Sequence, residues 1–239
     1  MRYFQLREAM EAPGCAVCRL AEEAVEASQR TLLYENVNDP GVREMLAESG
    51  GYCRHHAGRL VRRRDLLGTA IVHRDLVRRF RGGLGSSPPA LERCPACVEH
   101  DETARRAITE LTLHFDDPEI RSRFEASDGL CREHFYGARS AWKGRPDVLE
   151  AAQTACLSRL LEQLGDLIRK HDHRFRHEPV GDEGDSWLRA VAAVSGLDAE
   201  ALPRPRSRHL PPVKEESDWG SPSDASEDAP PAADRGTLT

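Results

Sequence analysis

From residue 19 to residue 36 the chain mixes Leu, Val and Ala with Arg and Glu and contains neither Gly nor Pro, a pattern that predicts a helix. Asp39-Pro40 then carries the start signal of a second, shorter helix, an N-cap followed by proline at the first helical position, and Gly50-Gly51 stops it. The same signals return at Asp117-Pro118 and at Asp128-Gly129. After Pro146 a long helix is predicted in which Leu149, Cys156, Leu160 and Leu167 form one stripe, widened by Leu157, Leu161, Leu164 and Ile168, as expected of a helix that docks on the rest of the chain. Asp185-Ser186-Trp187-Leu188 reads as a cap opening a last short helix, with Trp187 as its docking residue. From Pro203 onward apolar periodicity fades into a segment rich in Pro, Ser and acids, which predicts disorder.

The repeated signals belong to an internal duplication. Cys15-Ala16-Val17-Cys18 is followed after 34 residues by Cys53-Arg54-His55-His56, and Cys94-Pro95-Ala96-Cys97 after 33 residues by Cys131-Arg132-Glu133-His134. One single-residue gap aligns the two copies. The expected architecture is all-α: two tandem metal-pinned helical modules, each ordered as CxxC, helix, short helix, CxxH and helix. The boundaries are 1–81 for the first module, 82–93 for a Gly/Ser/Pro-rich linker, 94–145 for the second module, 146–197 for C-terminal helices packing on the modules, and 198–239 for a disordered acidic tail.

Composition adds a reason for the cysteines. Of 239 residues 39% are hydrophobic, but aromatics are only 5%, and small modules with few large side chains need a metal or disulfides to hold them. The net charge of -6 conceals an Arg-rich stretch, residues 54 to 81, with nine Arg against two Asp. Its apolar residues do not share one stripe. Leu60, Leu67 and Ile71 agree, while Leu66, Leu76, Val77 and Phe80 point elsewhere, which predicts contacts on several sides. No run of about 18 apolar residues is present to span a bilayer, so the expectation is a cytoplasmic protein with no membrane partner. In a reducing compartment closely spaced cysteines are metal ligands or redox groups rather than disulfides.

Cys-x-x-Cys supplies two thiolates from one turn, and Cys-x-x-His at the first turn of a helix sends both side chains out on one face. Each module thereby offers three sulfurs and an imidazole, the set that closes a structural zinc site. The expectation is two zinc ions per chain, one held by Cys15, Cys18, Cys53 and His56 and one by Cys94, Cys97, Cys131 and His134, with an iron–sulfur cluster as the alternative cofactor. A helix of about 18 residues climbs roughly 27 Å, and a short helix plus a few extended residues can return that distance, so pairing within a module is sterically allowed. Cys156 reads as a buried thiol; His171, His173 and His177 as a solvated helix end; His55 and His100 as surface residues beside the sites; and Tyr34, Glu35, Asn36 and Asn38 as a capped turn.

The duplicated Cys-x-x-Cys and Cys-x-x-His, the run Tyr34-Glu35-Asn36-Val37-Asn38-Asp39-Pro40 and Gly184-Asp185-Ser186-Trp187-Leu188-Arg189 resemble an uncharacterised bacterial family, domain of unknown function 6062, over roughly residues 10 to 197. The resemblance supports the architecture and implies no activity. There is no Ser/His/Asp set and no phosphate-binding glycine loop, and eight ligands leave no open coordination position for a catalytic water. These features predict no catalytic residues and a non-enzymatic zinc-binding protein that acts as an interaction or scaffold protein, through a macromolecular partner or self-association. Two alternatives stand beside it. Cys-x-x-Cys at a helix start also suits a thiol or iron–sulfur redox protein or sensor, and the Arg-rich helix could follow a phosphate backbone, though its lack of interleaved aromatics and the acidic overall charge weigh against nucleic acid.

Overall fold

The computed structural model describes residues 3–196, all of which lie within one compact unit. The expected disordered tail, 198–239, lies outside the described residues. Among those described the structure is all-helical. The first repeat supplies α2 (Ala16–Tyr34), α3 (Pro40–Glu48), α4 (Arg54–Arg62) and α5 (Leu66–Gly82), and the second supplies α6 (Pro95–His114), α7 (Pro118–Ala126), α8 (Arg132–Ala141) and α9 (Pro146–Lys170). A short helix, α1 (Tyr3–Met10), precedes them, and a 3-10 turn at Asp182–Asp185 leads into α10 (Ser186–Ser195).

Local chemistry sets most of the boundaries. The Asp39 carboxylate accepts from the Val42 N–H at 2.8 Å and Asp117 from the Glu119 N–H at 2.9 Å, each with proline opening the helix behind it. Gly50, Gly51 and Gly129 adopt φ of 66°, 94° and 72° in the loops that lead to the Cys-x-x-His pairs, a conformation that strains a side-chain-bearing residue. The Arg-rich stretch is two helices rather than one. Arg64 turns the chain with φ 58°, and Asp65 starts α5 by accepting from the Gly68 N–H. This break is why its apolar residues could not be placed on a single stripe.

The most extensive helix pair joins the repeats: α2 runs antiparallel to α6. Val25 packs with Cys94 and Ala96 at the start of α6, Glu22 lies level with His100, and Val17, Cys18 and Ala21 share a cluster with Ala104, Ala107 and Leu111. The main core gathers Leu6 and Met10 of α1, Val17 of α2, Leu111 of α6, Phe124 of α7, Ala138 of α8 and Leu149 and Cys156 of α9. Phe115 meets Phe124 and Trp142 edge to face, each at 5.2 Å between centroids. A smaller core in the first repeat holds Leu32, Leu33, Leu46, Leu60 and Val72. In α9 the stripe Leu149, Cys156, Leu160 and Leu167 is buried as expected, but Leu161 and Ile168 are 67% and 72% exposed, so the buried face is narrower than the sequence implied. The inter-repeat segment is anchored: the Glu92 N–H donates to the Glu48 carbonyl, and Leu91 covers Gly50.

Candidate metal centres

The first residue of every Cys-x-x-Cys and Cys-x-x-His stands at a helix N-cap: Cys15 before α2, Cys53 before α4, Cys94 before α6 and Cys131 before α8. The fourth residue of each motif is then the third of its helix. These are the two positions whose side chains ordinarily face each other in a capping box. Here no full capping hydrogen bond forms at any of the four cysteines, although the Cys53 sulfur is near enough to the His56 N–H to feel it; the paired side chains point together at a common centre instead. Unpaired N–H groups at helix starts also favour thiolate over thiol.

All eight proposed ligands fall into two foursomes, each with its ligand atoms within 4.8 Å of one another, but the partners are exchanged between the repeats. The first foursome is Cys15, Cys18, Cys131 and His134, and the second is Cys53, His56, Cys94 and Cys97. The expected pairing of Cys15 and Cys18 with Cys53 and His56, and of Cys94 and Cys97 with Cys131 and His134, is therefore corrected. The reason lies in where α4 docks. Gln29 Nε2 donates to the His56 carbonyl at 2.9 Å, and Arg59 and Arg63 pair with Glu22 and Glu26, so α4 settles along the middle of α2 and does not return to its start. Val25, level with Cys94, is ten residues or roughly 15 Å along the helix from Cys15. The antiparallel α6 delivers its own Cys94 and Cys97 to that level.

In the first foursome His134 Nδ1 lies 3.5, 3.3 and 3.3 Å from the sulfurs of Cys15, Cys18 and Cys131, and Cys18 and Cys131 are 3.6 Å apart. In the second, His56 Nδ1 lies 3.3, 3.7 and 3.4 Å from those of Cys53, Cys94 and Cys97, with Cys53 and Cys97 3.7 Å apart. A tetrahedral ion with bonds of about 2.0 to 2.3 Å requires ligand separations of roughly 3.3 to 3.8 Å. The donor sets fit one ion each.

Ligands this close share protons unevenly. The Cys15 and Cys18 thiols hold Cys131 far below the ordinary thiol range, while Cys18 is driven upward by its bonds to Cys131 and Cys15 and by burial. Burial opposes charge on His134, but Cys131 and Cys15 outweigh it and push the ring up to about 10. Burial likewise opposes the Cys53 thiolate, yet the His56 N–H, Cys97 and Cys94 bring it below its usual value, and burial together with Cys53 and Cys94 pushes Cys97 up to about 12. A divalent cation would take the place of those shared protons.

The surroundings of the two centres differ. Asp128 accepts from the Gly14 N–H at 2.7 Å and from Arg189 at 3.0 Å, and Arg189 also donates to Asp185, Gln163 and the Asp182 carbonyl, tying α10 to both halves of the first foursome. Gly196, at the end of α10, sits so close that a Cβ there would lie 3.7 Å from the sulfurs of both Cys18 and Cys131. Sequence reasoning missed Gly14, Asp128, Arg189 and Gly196. One signal was present: the aligned loops read Ser49-Gly50-Gly51 and Ser127-Asp128-Gly129, so the carboxylate belongs to one repeat only. Trp187, expected to dock α10, is half exposed, and buried Arg189 does the anchoring; Asp185 bonds Arg189 and makes no side-chain cap.

The remaining candidates take no part in either foursome. Cys156 is buried, and its thiol donates to the Phe124 carbonyl at 3.3 Å. His100 reaches Glu22 and Asp101, His55 stacks edge to face on His56, and His171 bonds the Leu167 carbonyl. Tyr34 is exposed at the end of α2.

No described helix is long and apolar enough to cross a membrane. No solved structure matches the chain. An uncharacterised 23.9 kDa protein from the xynA 3' region of Caldicellulosiruptor sp. (strain Rt8B.4) is 27% identical over 199 residues, covering 76% of this chain and 95% of that protein. The model of a family of unknown function, DUF6062, matches twice in succession, over residues 3–88 and 89–201, and the break between the matches falls in the anchored segment that separates α5 from α6. The chain therefore belongs to the DUF6062 family, as two consecutive copies of its repeat.

Proposed function

We propose that the protein is a non-enzymatic zinc-binding helical scaffold in which two mononuclear Cys3His sites fasten the two repeats to each other. The observation that carries this reading is the mutual spacing of each foursome, with every ligand atom within 4.8 Å of the others. That spacing suits a single ion closed on all four sides, whereas a polynuclear iron–sulfur cluster would spread its cysteines around several metal atoms. A structural zinc of this kind stabilises a small domain by about 10 kcal/mol or more at neutral pH, which suits a chain whose first-repeat core is small. A reducing, cytoplasmic location fits thiolates kept as ligands.

The interaction role is supported by α5. Leu66 and Leu67 at its start and Val77 and Phe80 near its end are exposed among Arg74, Arg78 and Arg81, and large apolar side chains left exposed among charges suit contact with another macromolecule or a second copy. Elemental analysis of the purified full chain tests the metal. Two zinc equivalents and no visible colour support the reading, and iron with a visible charge-transfer band would replace it with the redox alternative. Light scattering of the parent chain and a Val77→Asp, Phe80→Asp variant tests the surface. A parent that is monomeric and retains no partner through purification, like its variant, would remove the scaffold role and leave the metal sites intact.

A further inference from the structure

Resting on that zinc reading, we propose that the two sites have different permanence: the Cys15, Cys18, Cys131 and His134 site is locked, and the Cys53, His56, Cys94 and Cys97 site exchanges its metal with thiophilic ligands and divalent cations from solution. Burial is the first ground. All four ligands of the first site are buried, Cys131 to 1% exposure, whereas Cys53 and Cys97 of the second are partly exposed.

The second ground is the device that closes one site and, among the described residues, has no counterpart at the other. Over the first, the end of α10 brings Gly196 against two sulfurs, and the chain of Gly14 N–H to Asp128 to Arg189 to Asp185 holds it there. At the second site the aligned residues are Arg93 in place of Gly14 and Gly50 in place of Asp128. Arg93 pairs with Asp101 of α6, the helix it directly precedes, and Gly50 has no carboxylate to receive a clamp from elsewhere in the fold.

The third ground is length. α9 runs for 25 residues, and its later turns carry Gln163 and Lys170, which bond Arg189 and Glu183 and so seat the 3-10 turn and α10. Its counterpart α5 stops at Gly82 after 17 residues. The first repeat lacks the platform on which a second lid could rest, and among the described residues no helix stands over Cys53 and Cys97 as α10 stands over Cys18 and Cys131.

Metal leaves a thiolate site by ligand substitution. One metal–sulfur bond breaks as a bond to the incoming ligand forms, and the released thiolate takes a proton from water. The incoming ligand has to reach the metal or sulfur, so steric access governs the rate. Cys53 and Cys97 offer it. At the first site α10 must lift before any ligand can enter, so exchange there is limited by a local opening.

The test uses the full-length zinc-loaded protein with 4-(2-pyridylazo)resorcinol as the metal acceptor. Two phases of one equivalent each are expected, separated by roughly tenfold or more in rate, as local opening separates protected from open sites. N-ethylmaleimide footprinting read by mass spectrometry should modify Cys53 and Cys97 during the fast phase, and Cys15, Cys18 and Cys131 only during the slow one. Arg189→Leu, which removes the clamp, should accelerate the slow phase alone, and Trp187→Ala should change neither. Release of both equivalents in one phase, or early labelling of Cys15 and Cys18, would overturn the proposal while leaving zinc binding in place. A chain that binds no zinc at all would instead remove the reading on which it rests. Should Arg189→Leu fail to fold, the labelling order of the parent chain decides.

Discussion

The sulfurs of Cys18 and Cys131 lie 3.6 Å apart although 113 residues separate them in the chain. A metal at that point would join the start of α2 in the first repeat to the start of α8 in the second, and one at the other foursome would join α4 to α6 in the opposite sense. Each foursome thus draws its members from both repeats, and neither repeat contains a complete one of its own.

Cutting the chain between Gly85 and Ser86, in the exposed segment between α5 and α6, separates the halves of both sites. Either half expressed alone should be largely unfolded, and mixing the two with zinc should restore helix content and a 1:1 complex carrying two zinc equivalents. Circular dichroism and size exclusion with metal analysis check this. A folded monomeric first half holding one tight zinc would contradict the exchanged pairing.

Replacing a ligand should cost both repeats. Cys131→Ser removes a sulfur from the site that holds the starts of α2 and α8, so helix content and protease resistance should fall in the first repeat as well as the second, with a loss on the order of the metal's full contribution, about 10 kcal/mol. Cys156→Ser changes one buried thiol that bonds a carbonyl and should cost about 1 to 2 kcal/mol without altering zinc content. Equal effects of the two substitutions on zinc stoichiometry would refute the distinction.

Glu22 of α2 and Arg59 of α4 form an ion pair with side-chain exposures of 9% and 3%. Glu22→Gln removes the carboxylate that faces the buried Arg59 guanidinium, and breaking a buried pair on one side should destabilise by about 3 kcal/mol. The Glu22→Gln, Arg59→Met double variant, which removes both charges, should recover much of that loss. Denaturant melts of the zinc-loaded proteins report the difference, and additivity of the two single effects would show that the pair does not act as a unit.

Lys170 at 2.6 Å and the Gly181 N–H at 2.9 Å both donate to the Glu183 carboxylate, in the 3-10 turn that leads into α10. Burial would raise this carboxyl, but those donors bring it down to about 2 from 4.5. A depressed folded-state value gives stability that is complete above the unfolded value and fades as pH falls from about 4.5 toward 2; the shift corresponds to about 3 kcal/mol. The melting difference between the parent and Glu183→Gln should therefore stay constant from pH 6 to pH 8. A difference that changes across that window would assign the effect to another group.

Much of this protein was legible in the chain because it is local. Asp39-Pro40 and Asp117-Pro118 start helices through bonds to N–H groups two or three residues on, and N-cap and third-position side chains converge within any single helix turn, so the eight clustered residues could be named from spacing alone. Their partnership could not. Either Cys-x-x-Cys joined to either Cys-x-x-His gives the same three sulfurs and one imidazole, and the connecting chain is long enough for both arrangements. Composition and length therefore leave the two pairings equivalent, and only the antiparallel packing of α2 on α6, with α4 seated at Glu22 and Gln29, brings Cys94 rather than Cys15 to Cys53. The unequal covering of the two sites was decided in the same way. Asp128 and Arg189 are 61 residues apart and become a clamp only when α9 carries α10 back across the first site, a contact that depends on tertiary packing and leaves no periodic trace in the sequence.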